Sequence, residues 1–495
     1  MNLSKNLGHQ AFSGLAWSAT RRFSDLGIKF LVGIALARLL APEEFGLIAM
    51  VTVFIAIGSG VADGGFAPAI IQRQKLTQLD LSSVFYFNVC LAFLVALGVF
   101  WGAPKVAEFY NQSELVDILR FLSVSIIVTA LGSIHQSQLL KKLEFKRIML
   151  SSLPALVLSG ALAVILAYRG WAVWALVAQI LAQSTLFTLF LWIGSRWRPT
   201  WEFSFGSIRS LFPFGSRLAL SGMLSLAFQN VYVLVIGRIF SPADLAYYQR
   251  AHEFNRMGAQ NLSSIAESVM FPVYSSIQSD RGRIKRIFAR SLFLLCFLSF
   301  PLMAMMAGLA EPIITTLIGE KWLPSVSYLR WLCLAGALYP IHAANLSILK
   351  ALGYSKLFLR LELVKKLIAV SLLLLTYRYG IHAIILGQVF QSFLALAING
   401  FYNRNLIDLC YREQLNQCLW PILLAMAVFF VCLGSSMTFE HHRILSLFMG
   451  ISLSAVVVLG ATLLVRRRLR PVLLILSNRF PVLKRLVDAD PLPEI

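Results

Sequence analysis

LARLLAPEEFGL (residues 36–47) returns two hundred residues later as IGRIFSPADLAY (236–247). Arg38 aligns with Arg238, Pro42 with Pro242 and Glu44 with Asp244. Further on, LLKKLEFKR (139–147) resembles ILKALGYSK (348–356), and Gly170 and Gln179 pair with Gly380 and Gln388. Three matches in one order at nearly one offset read as an internal duplication. In each copy the Pro–acid turn reads as a helix start rather than as a pair of catalytic acids. Six apolar spans separate the copies. An even number makes the repeats parallel, related by an axis along the membrane normal. Two like bundles flanking a central cavity are an alternating-access architecture.

Composition supports the membrane setting. The 495 residues are 58% hydrophobic and 14% charged, with a mean hydropathy of +0.74. Soluble domains average about 25% charged residues, so a soluble enzyme, a disordered chain and a coiled coil are excluded. The six cysteines are scattered without CxxC spacing, so neither a disulfide framework nor a metal site is indicated. No Walker loop is present, which excludes ATP hydrolysis by this chain, and no cofactor is implied. The first sixteen residues are mixed, and Arg21, Arg22, Asp25 and Lys29 interrupt the first long run. A removable signal peptide is therefore not expected.

An all-α integral membrane fold of about 14 helices follows, at roughly 20 apolar residues per crossing. Spans are expected near 14–36, 44–68, 81–101, 117–139, 150–168, 172–194, 210–236, 245–273, 288–309, 324–349, 357–377, 381–403, 418–436 and 444–465. They divide into an N-lobe (1–205), a C-lobe (206–413), two extra spans (414–466) expected to pack peripherally, and a basic amphipathic cytoplasmic tail (467–495). Lys and Arg concentrate in alternate loops, at 73–75, 141–147, 196–209, 281–290, 350–360 and 404–412. The positive-inside rule puts those loops and both termini in the cytoplasm. It also absorbs most of the net charge of +21, which is then no sign of nucleic-acid binding. The outward loops are short, the longest running from Gly102 to about Val116.

Ionisable residues inside spans cost several kcal/mol unless they face a cavity or a partner. Ser18, Arg21, Arg22, Asp25 and Lys29 fall within about 100° of one face of the first span. Arg217 leads a polar face on the seventh. Arg250, Glu253, Arg256, Gln260, Asn261, Ser264 and Glu267 share about 140° of the eighth. Asp63 lies in the glycine-rich stretch GSGVADGG (58–65), where the backbone is expected to open. Arg21, Arg22, Lys29, Arg217, Arg250 and Arg256 are the candidate cationic lining, suited to phosphate oxygens. Asp25, Asp63, Glu253 and Glu267 are candidate coupling-ion or structural acids. The competing reading is that these charges only snorkel or lock helices together. His135, His252 and His342 read as polar contacts between helices.

Several segments together resemble the polysaccharide exporters and lipid-linked oligosaccharide flippases of the multidrug/oligosaccharidyl-lipid/polysaccharide exporter superfamily. The colanic-acid translocator branch is the most similar. The segments include LARLLAPEEFGLIAM (36–50), VADGGFAPAIIQRQKLTQLDLSSVFYFNV (61–89), MFPVYSSIQSDRGRIKR (270–286) and LIGEKWLPSVSYLRWLC (317–333). The resemblance implies two six-helix lobes and undecaprenyl-diphosphate-linked repeat units as substrate, for exopolysaccharide, capsule or O-antigen in a bacterial inner membrane. Polysaccharide polymerase and glycosyltransferases would be neighbours in the process. A cation-coupled multidrug exporter of the same fold is the first alternative. A membrane polymerase or ligase is the second, and short outward loops weigh against it.

Overall fold

In a computed structural model, residues 2–439 and 441–465 are described; the tail expected at 467–495 lies outside them. No strand occurs among the described residues. The chain forms two compact units that divide between Ala246 and Tyr247.

The first unit holds α1 (Asn2–Leu39), α2 (Pro42–Asp63), α3 (Phe66–Gln72), α4 (Gln78–Tyr110), α5 (Leu115–Lys141), α6 (Phe145–Tyr168), α7 (Val173–Gly194) and α8 (Phe205–Ile239). The second starts within α9 (Pro242–Ser276) and continues with α10 (Arg281–Gly308), α11 (Ala310–Leu317), α12 (Pro324–Ala351), α13 (Ser355–Thr376), α14 (Ile381–Ile407), α15 (Tyr411–Thr438) and α16 (Arg443–Leu464). A helix lies at each of the fourteen expected spans. Eleven are long and apolar enough to cross a membrane; α1, α9 and α13 are the exceptions. Length and composition therefore support eleven crossings, and the count of fourteen depends on three helices that carry charge.

The duplicated turns are built alike. The Ala41 N–H donates to Glu44 Oε2 at 2.9 Å, with Pro42 opening α2. In the second copy Ser241 Oγ and Asp244 Oδ2 are 2.8 Å apart, and the Asp244 N–H donates to Ser241 Oγ at 3.1 Å. A carboxylate three residues beyond the cap satisfies an N–H that the helix itself leaves unpaired. Glu44 and Asp244 are thus capping residues.

The glycine-rich stretch breaks the helix where expected. Its α2 ends at Asp63, five residues short of the expected edge, because Gly64 and Gly65 both take positive φ, 55° and 76°. Asp63 lies against the backbone N–H groups of Gly65 and Ala67 at the start of α3. Along α2 and the turn after it, three glycines let the segment from α8 to the start of α9 approach closely. The Pro242 carbonyl fills the space a Cβ would need at Gly46, Leu226 and Met223 cover Gly60, and the Gly215 carbonyl fills the space at Gly65. Small residues let helix backbones approach closely where lipid gives no hydrophobic drive.

Phe66, Phe85, Ile134 and Leu211 form one core of the first unit. The connection between the repeat copies is fastened over it. Gln78 Nε2 donates to the Arg198 carbonyl at 2.6 Å, and the Thr200 and Ser204 N–H groups donate to Ser82 and Ser83 Oγ at 3.0 and 2.9 Å. His135 is buried against the rings of Trp192 and Trp197.

In the second unit α10 packs between α12 and α15. Tyr274, Phe288 and Ile348 are fully buried there. Cys296 and Cys418 meet with sulfurs 3.5 Å apart. Leu424, Val428 and Cys432 of α15 also enter the core. One face of the thirteenth span is therefore buried, while Leu419, Leu423, Met426 and Phe430 on the same helix are exposed. Charge scarcity in its sequence marks it as apolar without saying which neighbour covers it.

A buried polar track joins α12 to α14. His342 Nε2 lies 3.1 Å from Ser392 Oγ, and Asn403 Nδ2 donates to Asn345 Oδ1 at 2.6 Å. Such contacts between membrane helices contribute about 0.6–2 kcal/mol each. Asn403→Leu should lower the thermal unfolding midpoint of the purified protein by a few degrees. An unchanged midpoint would show that the track contributes nothing to stability.

Candidate functional site

The three helices too charged for the apolar class carry most of the ionisable groups inside spans. Of these α1 packs against α6, with Val32 under Gly160. Arg21 Nε approaches Asp25 Oδ2 at 3.5 Å, and Ser152 Oγ of α6 donates to Asp25 Oδ1 at 3.5 Å. Arg21 and Asp25 are half-buried, whereas Arg22 and Lys29 are exposed. Three positive groups against one negative leave this face net cationic. Closer to the N-terminus, Lys146 lies over the Trp17 ring at 5.4 Å. The first unit also holds Asp63 at the break and an exposed Arg217, two residues past the Gly215 crossing. Among the described residues no ion pair joins Asp63 to Arg217 or either of them to α1.

Arg250, on α9, is largely covered. Its Nη1 donates to Glu253 Oε2 at 2.8 Å, and its guanidinium lies 5.5 Å from the Trp322 ring centroid. Trp322 is fully buried in a 3-10 turn (Glu320–Trp322), with Tyr247 edge-on against it at 5.9 Å. Arg250 thus fastens the start of α9 to the Glu320–Trp322 turn. This observation favours the helix-locking reading for that residue. A charge-assisted hydrogen bond and a cation–π contact are together worth about 1–3 kcal/mol, reduced here because Glu253 reaches solvent. Arg250→Ala should therefore lower export and the amount of protein in the membrane together. Lost export at full abundance would overturn that placement. Arg256 is exposed. Deeper along α9, Glu267 pairs with Lys350 of α12 at 3.4 Å.

The sequence reading expects α13 as a span but misses its charge cluster. Arg360, Glu362, Lys365 and Lys366 lie within two turns of it, and Lys365 pairs with Glu362. The signal was visible, since four ionisable residues in seven cannot be ordinary lipid-facing helix. In sequence, Lys350 and Arg360 belong to one basic cluster at 350–360 and read as loop charges, which hides their places on α12 and α13.

Eleven apolar helices, three charged ones and two compact helical units define a multi-pass, all-helical membrane protein. The fold matches that of a lipid II flippase MurJ in an inward closed conformation, at TM-score 0.70 and 15% identity over 92% of this chain and 100% of that one. It also matches an inward-facing multidrug resistance MATE transporter of the MOP superfamily, at TM-score 0.58 and 16% identity over 78% and 98%. Residues 35–327 match the polysaccharide biosynthesis protein family, and the chain belongs to it. Lipopolysaccharide biosynthesis protein WzxC of Escherichia coli (strain K12) is 26% identical over 67% of this chain and 68% of its own length. Teichuronic acid biosynthesis protein TuaB of Bacillus subtilis (strain 168) is 25% identical over 87% and 90%. Succinoglycan biosynthesis transport protein ExoT of Rhizobium meliloti (strain 1021) is 27% identical over 68% and 69%.

Proposed function

We propose that this chain is a flippase carrying undecaprenyl-diphosphate-linked oligosaccharide repeat units from the cytoplasmic to the periplasmic leaflet of a bacterial inner membrane. The observation that carries the reading is the net-cationic face of α1 in a chain of the polysaccharide biosynthesis family. Arg21, Arg22 and Lys29 would hold the diphosphate, and Arg217 and Arg256 are further cationic candidates. Guanidinium groups suit this role because they meet phosphate oxygens two at a time. The polyprenyl tail would stay in lipid. No covalent bond changes, so the chain is not an enzyme in this account.

The duplication supports alternating access, with the two repeat halves moving against each other. Asp25, Asp63, Glu253 and Glu267 are the acids available for a coupling proton or Na⁺. Both termini lie in the cytoplasm, where Lys and Arg concentrate in the connecting loops. Glycosyltransferases would supply the substrate inside, and a polymerase would consume it outside. Basic residues on α1 weigh against the multidrug alternative, because a cationic drug would meet like charge.

A deletion strain tests the reading. Lipid-linked repeat units should accumulate in the cytoplasmic leaflet, and mature polymer should disappear. Normal polymer with no accumulation would refute it.

A further inference from the structure

Within the second unit, α9, α12 and α13 border an open cleft of about 580 Å³. That volume lies within the range of about 300–1,000 Å³ usual for small-molecule sites. Each helix offers one face. Ser264, Glu267, Ser268 and Phe271 stand at i, i+3, i+4 and i+7 on α9, Ser347 and Lys350 at i and i+3 on α12, and Ser355 and Phe358 at i and i+3 on α13. Those spacings put residues of one helix side by side.

The chemistry of this lining is unlike that of α1. Glu267 and Lys350 lie 3.4 Å apart and cancel each other's charge, so neither an anion nor a cation is favoured. Lys350 also rests on the Phe358 ring at 5.0 Å. Phe271 is 43% exposed, a large apolar ring left beside hydroxyls. Ser347 is buried at the cleft's edge, and its Oγ donates to the Ala343 carbonyl at 2.8 Å. Four hydroxyls, one carboxylate and one ammonium supply both donors and acceptors. Two phenyl rings supply flat apolar faces.

We propose that this cleft binds a neutral saccharide, one pyranose ring of the carried oligosaccharide. The hydroxyl rim of the ring meets the serines and the Glu267–Lys350 pair, and its C–H face lies on the exposed ring of Phe271. The inference rests on the flippase reading and adds to it a separate glycan subsite, apart from the groups that hold the diphosphate. A free diphosphate would meet the Glu267 carboxylate here, and a drug cation the Lys350 ammonium. A zwitterionic lipid headgroup would match the ion pair but would leave the serines and ring faces unused.

The test uses the full chain in phosphatidylcholine nanodiscs, which avoids sugar-headed detergents. Saturation-transfer NMR reads binding of neutral methyl glycosides of hexose, 6-deoxyhexose and N-acetylhexosamine and of their disaccharides. Saturation should reach the ring protons of at least one of them. Phe271→Leu should reduce it by about fivefold, as expected for a lost stacking contact, and Phe271→Tyr should retain it. Phe390→Leu, on an exposed surface of α14, should leave it unchanged. Thermal unfolding of each variant near the wild-type midpoint shows that the leucine proteins fold; a variant that does not is replaced by Ser264→Ala with Ser268→Ala, which should weaken binding several-fold. Absence of transfer to every glycoside at tens of millimolar, or equal transfer in the folded Phe271→Leu variant or its replacement, overturns the proposal. So does binding of inorganic diphosphate that Lys350→Gln removes, or displacement of the glycoside by phosphatidylethanolamine. Translocation by the wild-type chain is scored separately. Intact translocation with a silent cleft removes only the subsite, whereas glycan binding without translocation removes only the flippase reading.

Discussion

Gly65→Val is expected to deplete the protein from the membrane and to lower the unfolding midpoint of what remains by many degrees. Two costs combine at this position. Gly65 sits at φ 76°, where a β-branched residue is strained by about 1–3 kcal/mol. The Gly215 carbonyl already occupies the space its Cβ would take. A backbone carbonyl cannot rotate aside as a side chain can, so α8 must move bodily, at roughly 1–3 kcal/mol more. Gly64→Asn should be much milder, because Asn tolerates positive φ and the nearest obstacle at Gly64 is the Phe66 ring. Wild-type abundance and unfolding of Gly65→Val would show that α2 and α8 do not pack closely at that glycine.

Arg22→Gln combined with Lys29→Gln is expected to reduce export at least tenfold with abundance within about twofold of wild type. Each charged contact to a phosphate is worth about 1.5–3 kcal/mol, and 1.4 kcal/mol is a factor of ten. Both residues are exposed on α1, so their loss leaves no buried cavity. Arg22→Lys should recover part of the activity, since an ammonium cannot make the two-pronged contact of a guanidinium. Arg21→Ala should behave differently, because it also removes the ion pair of Asp25, leaving that carboxylate only Ser152 among the described residues, and lowers abundance as well. Full export by the Arg22 and Lys29 double variant would remove α1 from substrate binding.

Local signals carried much of the fold. Apolar length located a helix at each of the fourteen expected spans, and GSGVADGG marked the break that Gly64 and Gly65 make. The Pro–acid turns announced two helix starts, each with its capping carboxylate. Non-local facts were hidden. Arg250 reads as a cavity charge until Trp322, far along the chain, is found beneath it. Glu267 and Lys350 belong to different helices, and their cleft exists only once α9, α12 and α13 are assembled. Which face of α15 is buried depends on the surface that α10 presents to it, and hydropathy carries no record of that.

Translocation by the purified chain is the most direct test of the central claim. Vesicles would carry undecaprenyl-diphosphate-linked oligosaccharide, and an impermeant lectin or glycosidase added outside would report exposed glycan. In protein-free vesicles only the outer-leaflet half is accessible. With the chain present, the accessible fraction should rise toward completion on mixing. The Arg22 and Lys29 double variant should stay near the protein-free level. Vesicles holding the folded wild-type chain that still protect half the glycan would contradict the account.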